Sequence, residues 1–225
     1  MKALLYKEFK LAMHPICYVF IALFPFLVLI PSYPVAVGFI YILSCYPILF
    51  LGANKGQQSN DLLYSTLLPI RKKDIVLARI ITVAIMQFAY IAIMSALLPV
   101  GLMIQNSLPE ATTPGLNLNG FVSILGIALI GFSLADLIYF SIYYKNGKSI
   151  VMSTLMTILG FIVYLALFTI AVPYFGEFGT AYTNFLCNSG LGYQFIVLGA
   201  SLVIYVALHF IVYKVASKEL ERVDF

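Results

Sequence analysis

Tryptophan is absent from this chain of 225 residues, histidine occurs only as His14 and His209, and cysteine only as Cys17, Cys45 and Cys187. Three thiols spaced that far apart, the first two inside apolar runs, make neither a disulfide framework nor a cysteine metal cluster, and they read as small buried hydrophobes. No His/Glu pair has metal-ligand spacing, which excludes zinc-protease chemistry and leaves no metal site. Charge is scarcest of all: Asp, Glu, Lys and Arg make up 10% of the chain, where a soluble domain carries about a quarter. What fills the gap is apolar, 62% of residues with a mean hydropathy of +1.01. The composition is that of an integral membrane protein. At about 20 residues per spanning helix, about six spans use roughly 120 residues, leaving short loops and no soluble catalytic domain. Any energy source must therefore come from another chain. The leading apolar run is too long for a cleavable signal and reads as retained.

Apolar runs fall at 16–31, 34–53, 77–104, 120–143, 150–173 and 192–213. This predicts an all-α polytopic membrane protein of six transmembrane helices, one transmembrane domain over 1–225. Pro31 and Pro34 make a tight hairpin of the first two spans. The breaks alternate in charge. The leading segment, the 54–76 break together with bordering Arg79, the 144–149 break and the trailing segment hold all 13 Lys and Arg residues. The opposite breaks, 32–33, 105–119 and 174–191, hold none, only Glu110 and Glu177. The positive-inside rule then puts both the N- and C-termini in the cytoplasm. The net charge of +4 is this topological bias plus attraction to anionic membrane lipid, so no nucleic acid is implied. Tyr33, Tyr174 and Tyr193 on one side and Tyr143, Tyr144 and Tyr213 on the other suit an aromatic belt.

Two cytoplasmic segments read as helices that do not span. Over 1–14, Leu5, Phe9 and Ala12 or Met13 share one side and Lys7 and Lys10 another, as in an N-terminal interfacial helix, and His14-Pro15 turns the chain into the membrane. The longest cytoplasmic loop, 54–76, opens with polar Asn54 to Ser59. Asn60 or Asp61 then caps a short helix that Pro69 stops after Leu68. Such a helix exposes Asp61, Tyr64 and Ser65 and buries Leu62, Leu63 and Leu67; it is either a docking element for a soluble partner or a solvated topogenic loop. A basic turn, Arg71-Lys72-Lys73-Asp74, leads into the third span.

The opening Met1-Lys2-Ala3-Leu4-Leu5-Tyr6-Lys7-Glu8-Phe9 and the stretch from Asp61 to Arg79 together resemble the permease subunit of bacterial ABC exporters of the second permease class. Within it the nearest branch is the small one with exporters of phenol-soluble modulins and of bacitracin or lantibiotics. Arg71 is a departure, standing where Ser or Thr often follows the Pro-Ile pair. The resemblance implies that 54–76 is a cytoplasmic coupling helix whose Asp61, Leu62, Tyr64, Ser65, Arg71, Lys72 and Asp74 contact a separate cytoplasmic ABC ATPase subunit. That partner binds ATP and Mg, and this chain binds no cofactor. A second permease copy, identical or a paralogue, completes the path, and 174–191 forms an outer re-entrant segment. The expected cargo is an amphipathic peptide toxin or antimicrobial, or a lipid-like molecule, moved out across the cell membrane.

The chain carries no catalytic constellation. Gly147-Lys148-Ser149 matches only the end of a phosphate-binding loop, because the first-glycine position is Ile142 inside a span. Gly131-Phe132-Ser133 is a poor nucleophile elbow within a helix. Asp136 is conspicuous: nine residues before Lys145, it lies about 13 Å inside the membrane boundary at ~1.5 Å per residue. A carboxylate there either serves a cationic substrate or a coupling proton, or is a structural residue bonded to His209, Arg79 or a Tyr hydroxyl. Ser149, Ser153 and Thr157 form a small hydroxyl stripe on the fifth span, read as the dimer seam or substrate path, or as packing within one subunit. The rival to an exporter permease is a proton-coupled secondary transporter or channel built on Asp136.

Overall fold

The computed structural model describes residues 2–13, 15–29, 70–107, 121–146, 150–167 and 190–222. The expected second span, the helix from Asp61 to Leu68, Ser149 and residues 174–189 of the expected outer segment lie outside the described residues, and Leu191, placed in that outer segment by the sequence, begins a helix instead.

Helix α1, Lys2–Lys7, continues into a π-helical turn, Glu8–Ala12, and ends where Met13 turns extended. The Met13 amide donates to the Glu8 carbonyl at 3.0 Å, the wide i→i−5 closure that defines such a turn. Pro15 then opens α2, Pro15–Leu23, a position where its missing N–H costs nothing and its fixed φ suits the first helical residue. A tight 3₁₀ turn, Phe24–Leu29, follows. The chain bends by 82° between the leading helical segment and the next, as the His14-Pro15 break predicts. The buried side of α1 differs from the expected one: Leu4, Glu8 and Met13 are buried and Leu5 and Phe9 only partly so. The π turn shifts the register past Lys7, and Glu8 turns inward to a partner described below.

Helix α3 runs from Lys72 to Ser107 and contains Pro99; α4 is Phe121–Asn146, α5 is Ile150–Leu165 and α6 is Leu191–Arg222. The third and sixth runs are longer as helices than as hydropathy segments. Hydropathy marks where apolar residues begin, whereas the flanking Lys, Ala, Glu and Arg are good helix formers that carry the coil into the interfacial layer. Asp74 in the first turn of α3 offsets three preceding cations at the positive end of the helix dipole.

Among the described residues three helical segments, Lys72–Gly101, Leu125–Lys145 and Leu191–Arg222, are long and apolar enough to cross a membrane, and the bent α1–α2 pair makes a fourth if counted as one span. Helix α5 is apolar but shorter. All described elements are helical. The core forms where α6 lies along α4, α4 against α5, and the 3₁₀ turn against α3. Tyr90, Phe132, Tyr139, Phe140 and Tyr144 fill it and are almost fully buried. Close approach of α4 to α6 depends on Gly126, where a Cβ would sit 2.8 Å from the Ser201 hydroxyl and 3.3 Å from the Leu198 Cα. Outward faces are apolar: Phe195, Ile196, Val203, Val206 and Phe210 on α6 and Val151, Leu155 and Leu159 on α5 are exposed. An apolar exterior around a core containing polar side chains is the arrangement a lipid solvent selects.

Candidate functional site

Among the described residues the buried charged side chains, Glu8, Arg79 and Asp136, fall in two layers. In the first, Glu8 of the π turn and Arg79 of α3 form an ion pair, Arg79 Nε donating to Glu8 Oε2 at 3.0 Å. Arg79 Nη1 donates to the Tyr143 hydroxyl of α4 at 3.2 Å. Both charges are almost fully enclosed, Glu8 1% and Arg79 2% exposed. The second carboxylate oxygen of Glu8 faces the Lys7 ammonium at 3.8 Å. Stacking of Tyr143 on Tyr139, at 5.8 Å between centroids, fixes the ring that presents this hydroxyl.

The second layer is centred on Asp136, which is fully buried. Gln87 of α3 donates from Nε2 to Asp136 Oδ2 at 2.8 Å. The Gln87 carbonyl oxygen accepts from the Tyr205 hydroxyl of α6 at 2.6 Å. His209, one turn on, places Nε2 at 3.1 Å from Asp136 Oδ2 and Nδ1 at 2.9 Å from the Tyr205 carbonyl. The ring of four side chains ties three helices together. Arg79 precedes Gln87 by eight residues and Asp136 precedes Tyr143 by seven, so at ~1.5 Å per residue the layers lie about 11 Å apart on both α3 and α4.

Asp136 has partners on two other helices, Gln87 on α3 and His209 on α6. His209 is among the partners expected for it; the Tyr205 hydroxyl donates to the Gln87 side-chain oxygen, and Arg79 pairs with Glu8. Gln87 and Glu8 were not anticipated. Gln87 is uncharged, and hydropathy passes over a single amide in an apolar run. Glu8 sits on an otherwise basic segment, and nothing in its spacing singles it out.

The hydroxyl stripe turns inward. Ser153 and Thr157 are fully buried, and Thr157 donates to the Ser153 carbonyl at 2.7 Å, a bond within the helix. Their face continues through Phe161 and Tyr164, whose hydroxyl donates to the Ile127 carbonyl of α4 at 2.8 Å, and both rings pack over Gly131. The described members of the stripe are thus buried within this chain. Asp61, Leu62, Tyr64 and Ser65 lie outside the described residues. Arg71 is exposed, and Lys72 and Asp74 are half-buried at the start of α3, where the Asp74 amide donates to the Arg71 carbonyl at 2.9 Å. Among the described residues no three His, Cys, Asp or Glu side chains gather as a metal site.

Apolar helices of spanning length, pinned to one another by buried polar side chains, define a multi-pass helical membrane protein. The chain matches the family described as ABC-2 family transporter protein over residues 3–217, nearly its whole length, and it belongs to that family of ABC permeases. No curated protein matches it, and no solved structure matches it.

Proposed function

We propose that this chain is the membrane-embedded half of an ATP-driven exporter, acting with a cytoplasmic ABC ATPase and a second permease copy. The observation that carries this reading is the family match over residues 3–217, since permeases of this family work with a cytoplasmic ATPase subunit. The segregation of all Lys and Arg residues into alternate breaks supports six spans with both termini in the cytoplasm. In that orientation the basic start of α3 and the loop from Asp61 to Asp74 face the ATPase, which binds ATP and Mg. Closure of the ATPase pair displaces this loop, and α3, a continuous helix from Lys72, carries the displacement about 22 Å to the Gln87 layer at ~1.5 Å per residue. The spans then reopen on the outer side of the cell membrane. Aromatic, weakly charged spans suit an amphipathic cargo, a peptide toxin or antimicrobial as in the phenol-soluble modulin and bacitracin branch.

The test is reconstitution of the permease with an ABC ATPase that co-purifies with it, in inside-out vesicles, with a dye-labelled lysine-rich amphipathic peptide. ATP-dependent accumulation inside the vesicles is expected. Accumulation by the permease alone under a proton gradient would overturn the reading in favour of a secondary transporter.

A further inference from the structure

The N-terminal helix is bound far more specifically than a lipid-anchored leader requires. A helix resting in the interface needs an apolar underside and outward cations, yet here it turns its single carboxylate, Glu8, into the protein. Taking Glu8 and Arg79 out of water is expensive, and a buried ion pair adds little net stability against an apolar replacement. What such a pair does fix is register. Arg79 is oriented on its far side by Tyr143, so its guanidinium meets Glu8 in one geometry. The π turn that begins at Glu8 is held a second time, because the Phe9 carbonyl accepts from the Tyr18 hydroxyl of α2 at 2.5 Å. The turn is thus a strut between α2 and α3. Arg79 lies two turns beyond Lys72, within the first part of α3 to move when the preceding loop is displaced.

We propose that Glu8 is a positioning residue of the transport cycle: its bond to Arg79 makes α1 travel with the cytoplasmic end of α3, so that displacement of the Asp61–Asp74 loop reaches α2 as well as α3. This rests on the exporter reading above. Throughout the cycle the latch stays shut, and α1 and the start of α3 behave as one body. The N-terminal helix is then a moving part, and the first span is driven from the ATPase through it.

The experiment uses the complete permease–ATPase complex in nanodiscs, free of native cysteines, with spin labels on Cys residues replacing Tyr6 of α1 and Lys73 of α3, both exposed. Dipolar broadening between the labels is recorded without nucleotide and with ATP trapped by vanadate. In the parent the broadening stays the same in both states. In Glu8→Gln it decreases on trapping, because α3 moves and α1 is left behind. Arg79→Lys, which keeps a cation for Glu8, behaves as the parent. Should Glu8→Gln fail to assemble around its unpaired arginine, the neutral Glu8→Gln/Arg79→Gln pair replaces it and is read in the same way. A bond that merely places α1 would change the spectrum equally in both nucleotide states, and that result overturns the proposal. So does a parent whose labels separate on trapping, or a latch variant whose labels stay together. A parent that binds no ATPase fails before any latch substitution is made, and that outcome marks failure of the exporter reading itself.

Discussion

Replacing Asp136 by Asn separates a structural carboxylate from one that handles cargo. Asp136 Oδ2 accepts from Gln87 at 2.8 Å and meets His209 at 3.1 Å. An Asn oxygen can occupy the same place, so geometry survives and charge assistance is lost. Hydrogen bonds to charged groups contribute about 1.5–3 kcal/mol and neutral ones about 0.5–1.5, while interhelical bonds in membranes average only ~0.6 kcal/mol because the unfolded chain also finds partners. Weighing these, Asp136→Asn costs about 1–2 kcal/mol. Asp136→Leu removes the acceptor and strands both the Gln87 amide and the His209 imidazole, at about 1–3 kcal/mol each, so it costs more. Adding Gln87→Leu to Asp136→Leu then costs less than Gln87→Leu alone, since the amide is already stranded. Denaturant unfolding in bicelles measures all four proteins. The same Asn variant, reconstituted with the ATPase, keeps ATP-driven uptake of the labelled amphipathic peptide. A variant as stable as the parent that transports nothing refutes the reasoning and returns Asp136 to the substrate path.

Other substitutions probe the packing and the topology. Gly126→Ala drives a methyl against the Leu198 backbone of α6, so the helices must part, and thermal unfolding in detergent shows a loss of about 1–3 kcal/mol. Gly160→Ala meets only the mobile end of Ile138, 2.5 Å from the new carbon, and costs under ~1 kcal/mol in the same assay; equal losses would contradict the α4–α6 contact. Single cysteines at Glu110 and Glu177, in a chain lacking the native ones, react with an impermeant thiol reagent from outside, while those at Lys72 and Lys145 do not. Reversed labelling would invert the chain in the membrane.

Apolar run length made the membrane class, the helical architecture and the bend at His14-Pro15 legible, because both hydropathy and the loss of helical geometry at proline are local properties. Helix ends were less so: Lys72–Val76 and Lys214–Arg222 lie outside the apolar runs yet form helix. The deep polar layer was half legible. Asp136 announced itself as a charge in an apolar run and His209 as one of two histidines, but Gln87 and Tyr205 are chosen by the crossing of α3 and α6, which no sequence spacing encodes. Glu8 was passed over for a related reason. Its partner Arg79 is 71 residues away, and the π turn that aims it inward leaves no mark in the apolar periodicity of residues 2–13.

The central claim is that the loop from Asp61 to Asp74 joins this permease to an ATPase, and it is tested most directly on the loop itself. Small, well-packed contacts concentrate interface energy in a few side chains, so Asp61→Arg or Tyr64→Ala should disable docking without disturbing the spans. Co-purification and ATP hydrolysis stimulated by the labelled amphipathic peptide are measured in lipid nanodiscs, with Lys145→Glu in the shorter cytoplasmic turn as the comparison. The account predicts that the two loop variants lose the ATPase subunit, or keep it and lose stimulated hydrolysis, while Lys145→Glu retains both. Loop variants that bind and couple like the parent would contradict it.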